Sequence, residues 1–388
     1  MESNKTKLNE GIKPHNETKM INVIGQYFGT SGYASHTRNL AKALDKIEPV
    51  RLITQIPQGW MTKVTDQELT MIKRIEKEHY DTNLIITHPM HWRSNAWAKK
   101  NIVYLVWEGD RVPWWIIEEC FNDNIHKIIV PSTHTAKALE KTIEDHMQRG
   151  VILDKVALIP HGVDIEIFKP LPKASPAGEP NYKNQKPFKF LAVKGFRNLE
   201  DRGGIQYLIR AFAKEFKKDE NVELIIKLNA AYGIPNVGTM FPELENNAPI
   251  TIIHNELTDK QMNQLYNDCD VFVSPTRAEG FNIPCLEALS TGTPVITTGY
   301  GGQTDFCSIE TGWVIDYDLV DVEHEEEYEG VQWATPKMED LKSTMREAYK
   351  DKIHIVTHGV RGRRRAKKLT WDNTATQITK VLKTIKNK

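Results

Sequence analysis

Net charge, paired cysteines and long apolar runs are all missing from this 388-residue chain. Its 51 basic side chains meet 51 acidic ones, so no overall field draws it to nucleic acid or to an acidic membrane. Cys120, Cys269, Cys285 and Cys307 stand far apart, without a C-x-x-C pair or a histidine-rich segment beside them, which argues against a disulfide framework or a zinc site. No apolar run reaches the ~18 residues that a spanning helix needs, and residues 1–20 are polar throughout, without the apolar centre of a secretion signal. The expectation is a soluble, cytoplasmic protein with no transmembrane segment. What is present is an ordinary globular mixture, 40% hydrophobic and 26% charged, long enough for two domains with a core each.

Residues 1–19 hold few large apolar side chains and are expected to form a disordered tail. From residue 20 onward, strand-like and helix-like stretches alternate, beginning with a strand over 21–28, a glycine turn at Gly29 and Gly32, and a helix over 35–47. Further strands are expected over 50–55, 84–88, 102–108 and 127–131, and this rhythm implies a doubly wound parallel sheet. Such a glycine turn between strand and helix makes a phosphate cradle in some proteins and serves only packing in others. His88, His91 and Glu108 fall at expected strand ends, where ligands of such sheets sit. Six tryptophans, among them Trp60, Trp107, Trp114 and Trp115, occupy this half; some suit stacking on a sugar, and all suit a core.

The stretch 171–187, rich in Pro, Lys, Asn and Gly, reads as a linker. A second alternation follows, with strands over 188–193, 222–228, 250–254, 271–273 and 295–298. Lys194, Arg197 and Arg202 lie between the first of these strands and its helix, a placement that suits a diphosphate, or else a solvated basic loop. Thr258 is expected to cap the helix that runs to Asp268. The sharpest segment is 271–306, where strand, loop, helix and strand follow one another. Its loop amides and the helix N-terminus near Pro284 offer an anion site. Glu279 and Glu287 flank it, eight positions apart.

Read as Glu279-Gly280-Phe281-Asn282-Ile283-Pro284-Cys285-Leu286-Glu287-Ala288, this segment closely resembles the E-x7-E signature of glycosyltransferase family 4, retaining sugar transferases of the GT-B fold. The resemblance implies two Rossmann-like doubly wound α/β domains facing a cleft: an acceptor domain over 20–165, a linker over 166–187, a nucleotide-sugar domain over 188–355, and C-terminal helices over 356–388 returning to the first domain. It places Glu279 on the donor sugar, Glu287 on the ribose, and the backbone of Gly280, Phe281, Asn282 and Ile283 at the diphosphate. Arg197 and Arg202 would grip the phosphates; His254, Asn255 and Glu256 would line the base pocket; Gly29 and Gly32 would face the donor. His88, with His91 as second choice, would touch the donor sugar or the acceptor, and Glu108 is a candidate for an acceptor hydroxyl. Asn282 stands where the family usually has Gly or a small residue, and His161, in a segment resembling N-G-V-D-x3-F-x-P, replaces the usual Asn.

Asp316-Tyr317-Asp318 matches a metal-binding D-x-D tripeptide and is assigned to a loop. Glu323 to Glu329 reads as a mobile solvated run, and the basic cluster 361–368 as part of the returning helices. The function implied by the resemblance is metal-independent, cofactor-free, retaining transfer of a hexosyl unit from a nucleotide diphosphate sugar to a carbohydrate, lipid-linked or other hydroxyl acceptor. Alternatives are a phosphorylase or epimerase on the same fold, a non-catalytic nucleotide-sugar binding module, or glycosylation of a modified nucleic-acid base, which the neutral charge disfavours.

Overall fold

The computed structural model describes residues 20–29, 31–55, 65–74, 81–144, 146–172, 186–196, 198, 202–229, 237–241, 244, 247–323 and 325–385. The tail 1–19, most of the linker, Trp60 and Arg197 lie outside the described residues.

The first domain contains β1 (Ile21–Gln26), α1 (Gly32–Asp45), β2 (Val50–Gln55), α2 (Asp66–Lys73), β3 (Thr82–Ile86), α3 (Trp92–Asn95), β4 (Lys100–Tyr104), α4 (Trp114–Cys120), β5 (Lys127–Val130), α5 (Thr133–Thr142), α6 (Arg149–Leu153) and β6 (Val156–Leu158). Its strands pair in the order β2-β1-β3-β4-β5-β6, all parallel. Ile21, Val23 and Ile24 of β1, and Leu84, Ile85 and Ile86 of β3, are all buried, as expected of strands covered on both faces. Helix α1 begins three residues earlier than its periodicity suggests, because the Ser31 hydroxyl accepts from the Ala34 amide and caps it. Strand β4 stops at Tyr104, so Glu108 sits in the loop beyond it.

The second domain repeats the scheme with β7 (Phe188–Lys194), α7 (Ile205–Glu215), β8 (Val222–Leu228), α8 (Val237–Met240), β9 (Ile250–Ile253), α9 (Asp259–Asn267), β10 (Val271–Ser274), α10 (Ile283–Thr291), β11 (Val295–Thr298) and β12 (Gly312–Ile315). The order is β12-β11-β10-β7-β8-β9, again parallel. Thr258 caps α9 as expected, in a reciprocal box with Gln261. In each sheet the strand order reverses once, between β1 and β3 and between β7 and β10. Ligands of open α/β sheets bind outside the strand ends at those points.

A hairpin of β13 (Tyr317–Asp321) and β14 (Gln332–Pro336) leaves the second sheet and reaches the first domain. This corrects two expectations. The D-x-D tripeptide runs into β13, with Asp316 and Asp318 exposed and both carboxylates 3.9 Å from Lys337 Nζ. The acidic run is anchored: its glutamates face solvent, but Tyr328 among them is buried, its ring stacked on Trp107 (centroids 4.9 Å) and edge-on to Trp333 (5.0 Å). A lone aromatic side chain outweighs its charged neighbours, since burying it contributes roughly 1.5–3 kcal/mol. Tyr328, Val331, Trp333 and Ala278 thereby complete a core otherwise made by the first domain.

Three helices close the chain: α11 (Met338–Lys350), α12 (Lys352–Ala366) and α13 (Trp371–Thr384). Helix α12 stays with the second domain, lying on α10, and the return to the first domain begins at Trp371, where α13 packs on α1. At the crossing, the Val163 amide donates to Leu369 O at 3.0 Å. His161 is buried there, 4.1 Å from the His36 ring and 4.8 Å from that of Phe281. Burial pushes its pKa down to about 3, so it packs as a neutral ring. No helix among the described residues is long and apolar enough to cross a membrane.

Candidate functional site

The carboxyl ends of β7, β8, β9 and β10 set a row of polar groups along one edge of the second sheet. Strand β7 is apolar except for its lysines, and its last residue, Lys194, is buried with Nζ 2.6 Å from Glu279 Oε1 and 3.4 Å from Asn282 Oδ1. Lys227, the last residue but one of β8, is also buried, its Nζ donating to Leu228 O at 2.6 Å. Burial lowers its pKa, against the pull of the nearby Glu256 carboxylate. His254 follows β9 with its Nδ1 buried and unpartnered, while Asn255 and Glu256 are exposed.

Beyond β10 the chain turns through Glu279 to Ile283 into α10. Asn282 is the single described non-glycine residue with positive φ (+70°), directly before the helix. Asn tolerates this left-handed geometry better than other side chains, and its buried amide fixes the turn by donating to Ser274 Oγ at 3.0 Å. A left-handed backbone of this kind is open to Asn or Gly at little cost. At Gly280 any Cβ would stand 2.5 Å from Val106 Cγ1 and 3.1 Å from the Trp107 amide nitrogen, so the two domains touch at that residue. Ser132 Oγ of the first domain donates to Gly280 O at 2.7 Å. The amides opening α10 carry its positive dipole end.

Glu287 faces inward from the second turn of α10. Tyr266 Oη donates to its Oε2 at 2.8 Å, and burial pushes the carboxyl pKa up to about 8 against that hydrogen bond. Near neutral pH this side chain therefore holds a proton. Tyr266, 21 positions away in the chain, opposes that shift without cancelling it.

Across the cleft, the first domain answers with carboxylate and imidazole. Arg202, at the start of the turn into α7, forms an ion pair with Glu108. Tyr328 Oη donates to the other Glu108 oxygen at 3.3 Å. His88, after β3, has its Nε2 2.7 Å from Glu327 Oε1 on the hairpin, and this contact holds the Glu327 carboxyl below its usual range. His91 is exposed on a short turn, its carbonyl accepting from Ser94 and Asn95. Gly29 lies in the turn into α1, where Arg38 Nη1 donates to its carbonyl at 2.6 Å, and Gly32 opens the helix. The structure thus brings Glu108, Arg202, Glu279, Asn282 and His88 to the facing edges of the two sheets. It leaves His91 outside that group and turns Lys194, one of the basic residues expected between strand and helix, onto Glu279.

Comparison with known proteins agrees with this architecture. Residues 188–324 match the family model described as glycosyl transferases group 1. The capsular polysaccharide biosynthesis glycosyltransferase CapM of Staphylococcus aureus is 32% identical over 123 residues, 31% of this chain and 31% of that one. The chain thus aligns with about a third of that curated relative. A glycosyltransferase from Rickettsia africae superposes with a TM-score of 0.65 at 13% identity, over 95% of this chain and 98% of that one. Anabaena HepE in complex with UDP and glucose gives 0.63 at 16%, over 95% and 100%. The fold is the two-domain GT-B arrangement of these structures.

Proposed function

We propose that this chain is a retaining glycosyltransferase of the E-x7-E type, moving a hexosyl unit from a nucleoside diphosphate sugar to a hydroxyl acceptor. One observation carries the reading: Lys194, Arg202 and the amides opening α10 gather positive charge at the switch point of the second sheet, beside Glu279 and opposite Glu108 and His88. The group 1 family match over the second domain supports it, as does the binding of UDP and glucose by HepE on a similar fold.

In this reading the diphosphate meets Arg202 and the Gly280 to Ile283 amides, and Arg202 must leave Glu108 to reach it. The bond from the anomeric carbon to the diphosphate oxygen breaks, its electron pair leaving with the nucleoside diphosphate. Cationic side chains and amides stabilise the charge that develops there, a task given to a metal in other transferases. The acceptor oxygen then bonds the anomeric carbon on the same face, and its proton passes to the departing diphosphate. Glu279 steadies the sugar, Glu287 orients the ribose, and His254 with Asn255 and Glu256 borders the base. Glu108, once released, and His88 meet the acceptor. A screen of UDP- and GDP-sugars for acceptor-dependent release of nucleoside diphosphate tests the proposal. Turnover that needs an acceptor hydroxyl and retains anomeric configuration is expected; binding without turnover in every pairing overturns it.

A further inference from the structure

A cavity lies away from the cleft, where the C-terminal turns of α12 face the loop after β11. It has a volume of about 440 Å3, and Arg361, Arg364, Arg365 and Lys368 line one wall. Arg361, Arg364 and Arg365 share one face of α12 and Lys368 follows just beyond its end, while Arg363 turns the other way to bind Phe168 O and Ser290 O. Cations suit the last turn of a helix, but the dipole does not require them on the face that opens a cavity. Four like charges at such spacing repel one another, by an amount that an anion between them would offset.

The opposite wall does not neutralise them. Of the two carboxylates that line the cavity, Asp305 is engaged elsewhere: its oxygens accept from the Thr133 amide at 2.8 Å and from the Thr133 hydroxyl at the start of α5. What Asp305 offers the basic wall is its carbonyl, 2.6 Å from Arg365 Nη2. Glu310 lines the cavity too, exposed, with its own carbonyl bound to His358 Nδ1. Arg361, Arg364 and Lys368 form no ion pair among the described residues, whereas exposed cations elsewhere, such as Lys46, Arg93 and Lys141, do.

We propose that this cavity is a second anion site, taking a phosphate-bearing group distinct from the one in the cleft. Guanidinium pairs suit phosphate oxygens bidentately, and the volume exceeds that of one phosphate, so a phosphodiester or diphosphate group fits the class. The group belongs either to a soluble phosphorylated ligand or to a lipid headgroup.

Calorimetric titration with pyrophosphate, and co-sedimentation with vesicles of equal phosphatidylcholine and phosphatidylglycerol, separate these sources. Both run on the wild-type protein, on Arg202→Ala, and on the double variant Arg361→Ser with Arg364→Ser. The expected result is salt-sensitive binding that survives Arg202→Ala and weakens about tenfold or more in the double variant. Restoring lysine at both positions should recover most of it. Loss confined to pyrophosphate assigns a soluble ligand, and loss confined to vesicles assigns a lipid. Unchanged binding of both probes in the double variant, or no binding to either by wild type, overturns the site. Because both substituted arginines are exposed, unfolding should not confuse the comparison, and a thermal melt checks it. Nucleoside diphosphate binding at the cleft should persist in the double variant, so failure of this site and failure of the transferase reading are separable.

Discussion

Replacing Glu287 by Gln keeps an acceptor for Tyr266 Oη but removes a titrating proton, and the consequence for stability can be worked out. Burial holds the folded carboxyl at a pKa of about 8, whereas the unfolded chain has the ordinary 4.5. The folded state therefore binds more protons between those values, and stability from this group is full below pH ~4.5 and lost as pH rises through ~8. One pKa unit is worth about 1.4 kcal/mol, and integrating between pH 5 and 8 gives a loss of about 3 kcal/mol. Urea unfolding of wild type and Glu287→Gln at both pH values is the assay, the difference between the two proteins cancelling every other carboxylate. The gap in unfolding free energy should move by about 2–4 kcal/mol in favour of the variant as pH rises. A gap flat in pH would refute the burial argument. If a ribose hydroxyl then donates to this group, nucleoside diphosphate binding should release a proton near pH 7, seen as a heat that varies with the buffer's ionisation enthalpy.

Four shorter predictions follow from the same geometry. Glu108→Gln frees Arg202 from its ion pair and should tighten nucleoside diphosphate binding about fivefold, whereas Arg202→Ala should weaken it by roughly 1.5–3 kcal/mol; opposite signs in calorimetry are the criterion. Glu279→Gln should lower kcat far more than it weakens binding of the bare nucleoside diphosphate, because the carboxylate acts on the sugar, and steady-state kinetics beside nucleotide titration will separate the two. Turnover should survive a strong chelator, while activity lost and restored by magnesium or manganese would bring Asp316 and Asp318 into the mechanism. Asn282→Gly and Asn282→Ala both lose the bond to Ser274 Oγ, and the Ala variant should cost about 1–2 kcal/mol more than the Gly variant for the left-handed backbone; equal midpoints of the two variants would contradict the turn geometry.

What the sequence displayed and what it hid divide along range. The strands of both sheets stand out because buried parallel strands are written as unbroken runs such as Leu84 to Ile86 and Val271 to Val273. The loop from Glu279 to Ile283 is legible for a similar reason: turn, helix start and carboxylates are neighbours in the chain. The sequence shows Lys194 only as one basic residue of a strand-to-helix turn, since its partners Glu279 and Asn282 are 85 and 88 positions on. The reach of Tyr328 into the first domain has no local signature, because charge density alone describes a run whose one aromatic residue decides its position. Helix α12 was assigned to the wrong neighbour by the same limit: Gly359 and Gly362 allow it to lie close on Gly292 and Leu289, a fit visible only once α10 is in place.

The hairpin tip and α13 give the first domain pieces that are encoded far beyond it, and this fixes what happens when the chain is divided. A fragment ending near residue 172 would carry the complete first sheet yet lack Tyr328, Val331 and Trp333 from one core cluster and Trp371, Ala375 and Ile378 from another. Its complement would carry those same side chains with nothing to cover them. Neither half is self-sufficient, but their missing surfaces match, so co-expressed halves should find each other and rebuild the cleft. The chain is thus divided in sequence where it is not divided in packing, and the two pieces should associate without a tether.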